Sequence, residues 1–134
     1  MKLSVPISVG DFIDRLSILT IKSNRDLPVS DELEEYEQQF TELPAYSRLR
    51  YLEMFLVINV QLWELEDRKR SKLLEVGSEE YVEVSELITH LNDLRFQIKK
   101  SADKYFGSAI SEKKSHEWSI SKNYLTSTNC DKSV

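Results

Sequence analysis

At 134 residues the chain has room for one domain that buries roughly two thirds of the surface its unfolded form exposes. Three glycines and three prolines are too few for a protein built from hairpins, so 40% hydrophobic and 31% charged residues read as a helical globular protein. A formal charge of −5 argues against a generic nucleic-acid binder, the single Cys130 excludes an internal disulfide, and no Cys/His spacing suits zinc.

The longest nearly apolar run, MFLVINVQLW, carries Asn59 and Gln61 and is far short of the roughly twenty residues that span a bilayer. MKLSVPISVG lacks the apolar centre of a signal peptide, so cytoplasmic residence with no membrane contact is the expectation.

Pro6 keeps the first residues extended, and Ser8 with Asp11 resembles a capping box that starts a helix running to about Asn24. Val9, Phe12, Ile13, Leu16 and Leu19 share one face of that helix. Ile18 and Ile21 lie on the opposite side beside Asp14 and Arg25. A helix apolar on two sides is either central or shared with another subunit, and a homodimer is expected on that basis. Leu27-Pro28-Val29 breaks the chain, and Ser30 or Asp31 then caps an acidic second helix ending near Leu43. Ser47 is the expected cap of a third helix to about Val76, Gly77-Ser78 the turn, and Glu79–Phe106 a fourth helix closed by Gly107. The expected fold is therefore all-α: two short helices, then a long antiparallel hairpin, in a bundle of about four helices. One domain over 1–115 is expected, followed by a partly disordered tail over 116–134.

Charge is unevenly spread. Residues 26–45 hold seven acidic side chains and no Lys or Arg, whereas 95–125 hold seven basic against three acidic. These segments are either solvated faces or mutually attracting ones.

Helix three contains the sequence's most informative anomaly. In LVINVQLWELEDRKR, Asn59 and Glu66 occupy the apolar stripe, and in the next helix Arg95 interrupts it between Leu91 and Ala102, flanked by Asn92 and Lys99. A hairpin centred on Gly77 puts Asn59 level with Arg95. Helical side chains lean toward their own N-terminus, which aims Glu66 and Arg95 at each other. A buried cluster of Asn59, Glu66, Asn92 and Arg95 follows, with Arg70 a competitor for Glu66. An unpaired buried charge would cost several kcal/mol.

Two meanings are open. The pair fixes helix register, or helix one adds Asp14 or Lys22 and the cluster lines a pocket where Arg95 and Lys99 receive a small anionic ligand. Carboxylate pairs such as Glu64 with Asp67, or Glu80 with Glu83, have spacings that suit magnesium. Most face away from the stripe, so neither metal nor cofactor is expected. No Ser/His/Asp, Cys/His or Gly-rich phosphate motif stands out.

VPISVGDFIDRLSILTIK, INVQLWELED and HLNDLRFQIKK…GSAISEKKS, in this order, resemble a small all-helical bacterial and phage domain family of unknown function. The resemblance spans nearly the whole chain to about Ser115. It implies attention to Asp14, Lys22, Asn59, Trp63, Glu66, Asp67, Asn92, Asp93, Arg95 and Lys99. It also implies a setting among glycan-synthesis proteins. The leading expectation is a helical binding or assembly module. The alternative is a small enzyme or sensor for an anionic metabolite such as a sugar phosphate or nucleotide sugar.

Overall fold

The computed structural model describes residues 1–71 and 74–111, so the expected tail, with Cys130, lies outside the described residues. Four helices and no strand occur among the described residues: α1 (Val9–Asn24), α2 (Ser30–Phe40), α3 (Ala45–Arg70) and α4 (Glu79–Tyr105). The protein is an all-α bundle. No helix among the described residues is long and apolar enough to cross a membrane.

Capping explains where α1 begins. Ser8 Oγ accepts the Asp11 amide at 3.0 Å, Asp103 Oδ1 accepts the Gly10 amide at 2.6 Å, and Ser108 Oγ accepts the Val9 amide at 3.2 Å. Three amide groups that a helix start leaves open are thus met by side chains, two of them from the end of α4 and the turn that follows it. α2 starts at Ser30 itself, preceded by Val29 with no side-chain cap, and stops at Phe40 rather than Leu43. Arg48 closes the junction: its Nη1 donates to the carbonyls of Thr41 at 2.9 Å and Leu43 at 2.6 Å. Its guanidinium lies 5.5 Å from the Phe40 ring centre.

α3 starts two residues before the expected cap, after Pro44, which leaves the Ser47 hydroxyl free to meet Tyr105 Oη at 2.6 Å. It ends at Arg70, short of Val76, where Ser71 turns extended. The reason is Leu74, which leaves the helical path to join Ile58, Leu62, Val84, Ile88 and Leu91 in the core near the connection. Ser78 caps α4 through the Tyr81 amide, and Gly107 at φ 65° ends it.

The α3–α4 pair is antiparallel, with Ser47 against Tyr105, Tyr51 Oη 2.8 Å from Ser101 Oγ, and Arg68 ion-paired with Glu80. These pairings put Asn59 nearer the level of Asn92 than of Arg95. α1 packs on both long helices and α2 on α1. A second core joins Ile13, Leu16, Phe40 and Phe55. Both sides of α1 are therefore covered within one chain: Ile13 is 0% and Ile21 2% exposed. Among the described residues of the acidic and basic segments, Glu35 takes Lys2 and Lys99 turns to α1.

Candidate functional site

The centre of the polar cluster is Asp14, in the middle of α1 and 0% exposed. Its position follows from a buried row on α1 that apolar periodicity does not count: Gly10, Asp14, Ser17 and Ile21 recur at helical spacing. Gly10 lets the helices approach, because a Cβ there would sit 2.4 Å from the Lys99 carbonyl oxygen. That closeness brings the α4 cations within reach of the carboxylate.

Arg95 grips Asp14 with two nitrogens. Its Nε lies 2.9 Å from Oδ1 and 3.1 Å from Oδ2, and its Nη2 is 2.7 Å from Oδ2. Such a two-pronged contact fixes orientation as well as charge. From α3, Asn59 Nδ2 donates to Asp14 Oδ1 at 2.7 Å and to Ser17 Oγ at 2.7 Å. The Ser17 hydroxyl donates in turn to the Asp14 carbonyl at 2.6 Å. Lys99 Nζ stands 3.4 Å from Asp14 and 3.5 Å from Asp11, and Asp11 holds Arg15 at 3.0 Å. Charges therefore alternate along the α1–α4 seam from Arg95 to Arg15. The Asp11 carboxylate, foremost among several influences, raises the Arg15 pKa above its ordinary value.

The predicted partner of Arg95 was Glu66. The structure gives that place to Asp14. Glu66 keeps 38% of its side chain exposed and has Arg70 at 3.9 Å, the competitor named from the sequence. The physical reason is burial: Glu66 reaches water, whereas Asp14 reaches none and has to find its cations inside. Asn59, Asn92, Arg95, Lys99 and Asp14 do converge, with Asn92 Oδ1 accepting a long 3.4 Å contact from Arg95 Nη1. Lys22 is half-buried in the last turn of α1 and stands apart from the group. Ser17, Gly10 and Asp103 were missed. Small and short polar residues at the spacing of Asp14 were the available signal.

Beside the cluster lies a cavity of about 240 Å³ between α1, α3 and α4. Ile18, Ile21, Leu62 and Trp63 form its apolar part, and Asn59, Glu66, Asp67, Arg70, Asn92 and Arg95 its polar part. Arg25 covers one side of the Trp63 ring at 5.1 Å from its centre. Asn59 spends its amide hydrogens inward on Asp14 and Ser17, which leaves its carbonyl limb as an acceptor for the cavity. The Arg95 side chain is 26% exposed. Two acidic and two basic side chains line the space, so it is charge-balanced and rich in both donors and acceptors. The lining offers hydrogen-bond donors and acceptors together with the two carboxylates Glu66 and Asp67. Among the described residues no group of three or more His, Cys, Asp or Glu could hold a metal ion. Compared with known family models, curated proteins and solved structures, the chain matches none.

Proposed function

We propose that this protein is a helical binding and assembly module, and that the Asp14 cluster serves as its internal lock. The observation that carries the proposal is the two-pronged Arg95–Asp14 contact: the strongest cation in the seam is matched by the chain's own carboxylate. A lock of this kind stabilises one arrangement of α1 on the long helices, because sliding either helix strands a buried charge. The cluster then acts as a positioning element for the faces the bundle presents.

A second reading is favoured by one specific observation, the charge-balanced cavity over Arg95 and Trp63. In that reading the bundle is a small enzyme or sensor for an anionic metabolite. Arg70 and the outer edge of Arg95 would take the anionic group while Asn59, Asn92 and the acidic pair take hydroxyls. The family resemblance adds sugar phosphates and nucleotide sugars as the ligands to try.

Thermal-shift measurement with nucleotides, nucleotide sugars and sugar phosphates separates the two. A concentration-dependent rise in Tm supports the metabolite reading, because a ligand that binds the folded form alone adds about 2.7 kcal/mol at a hundredfold excess over Kd. That rise should vanish in Glu66→Gln or Arg70→Met, which leave the lock intact. No rise with any compound leaves the assembly module standing and removes the second reading.

A further inference from the structure

The long-helix pair has a second surface, turned away from α1. Along α3, Tyr46 is 73%, Leu49 56%, Met54 42% and Val57 57% exposed, with Arg50 and Glu53 between them. At 100° per residue these six share one stripe, roughly opposite the side where Phe55 and Asn59 meet α1. Ile98 of α4 joins Met54, Val57 and Ile58 along a shallow groove. Leu94, half-buried, and Leu87, exposed at 44%, continue the same side of α4. Tyr105, farther along α4, is 61% exposed as well. α1 packs on the other side and α2 packs on α1, so neither covers this face. Scattered exposed apolar side chains need no explanation, but a contiguous row along one helix does.

The order of residues in the row says what covers it. Read from either end toward the point between Tyr51 and Leu52, it goes aromatic or aliphatic, aliphatic, charged: Tyr46, Leu49, Arg50 from one side and Val57, Met54, Glu53 from the other. Two copies of α3 crossing antiparallel at that point set Tyr46 against Val57, Leu49 against Met54 and Arg50 against Glu53. Two-fold symmetry makes each contact twice. A parallel crossing would set Arg50 against Arg50 and Glu53 against Glu53, which is repulsive. We propose that the occupant of this face is a second copy of the same chain, docked α3 to α3 about a two-fold axis between Tyr51 and Leu52. The dimer contact therefore lies on α3, not on α1.

Reversing charges tests both the partner and the orientation. The intact chain should sediment as a dimer in the micromolar range. Arg50→Glu and Glu53→Arg each create two like-charge contacts and should weaken self-association about tenfold or more. The combined swap, Arg50→Glu with Glu53→Arg, should restore it, because the opposed charges are again unlike. Val57→Glu should yield monomers. The three altered positions, Arg50, Glu53 and Val57, are exposed, so circular dichroism should show unchanged helix content in each variant. A monomeric intact chain overturns the proposal. So does a dimer indifferent to Val57→Glu, or one that the double swap fails to restore.

Discussion

The two faces of the α3–α4 pair differ in a way that hydrophobic burial alone does not produce, for the inner one adds charged and amide groups to the apolar contact of Phe55 with α1. Toward α1 the pair presents Asn59, Arg95 and Lys99, and all three are drawn into a buried or half-buried seam. Away from α1 it presents Tyr46, Leu49, Met54 and Val57, which stay largely in solvent. α3 accordingly shows hardly any net amphipathic bias. A helix of that kind is not organised by hydrophobic burial alone. Its inner face is specified by charge matching around Asp14, where the cost of a lost partner is high. Its outer face is spare apolar surface, available for association.

Substitutions along the inner face should rank by what each side chain holds in place. Removing the carboxylate, Asp14→Ala, leaves Arg95 and Lys99 without their shared partner in the seam. It should lower unfolding free energy by about 3–5 kcal/mol in urea titrations. Gly10→Ala comes next: the added methyl group meets Lys99 backbone, and forcing α1 away from α4 should cost about 1–3 kcal/mol in the same assay. Ser8→Ala removes one cap of α1 and should cost about 1 kcal/mol, read as a lower urea midpoint at unchanged slope. Smallest is Glu66→Gln, which touches only the exposed, long contact to Arg70 and should change stability by less than about 0.5 kcal/mol. If Glu66→Gln instead rivalled Asp14→Ala, the inner face would be organised around the wrong carboxylate.

The helices were legible because their signals are local. Ser8 with Asp11, Leu27-Pro28-Val29, Ser78 and Gly107 mark chain breaks by backbone chemistry that tertiary packing left in place. The end of α3 was not legible, since Leu74 departs from a helical path to reach a core that exists only once α4 has folded back. Asn59 and Arg95 were found because a polar group in an apolar stripe needs a partner wherever it lies. The identity of Arg95's partner was not found. Hairpin geometry compares two helices, and the nearest buried carboxylate came from a third. Asp14 was visible as a charged residue on the second apolar side of α1 and as one possible addition to the cluster, not as its centre. Gly10 and Ser17, which give it room and orientation, carry no hydrophobic signal at all.

Asp14 on α1 and Arg95 on α4 should be energetically coupled inside the bundle. A double-mutant cycle by urea unfolding measures it directly, with Asp14→Asn, Arg95→Met and both together. Coupling of about 1.5 kcal/mol or more is predicted, with the double variant recovering part of the single losses. Losses that add to within about 0.5 kcal/mol would mean that the two side chains do not hold α1 in place, and would contradict the account.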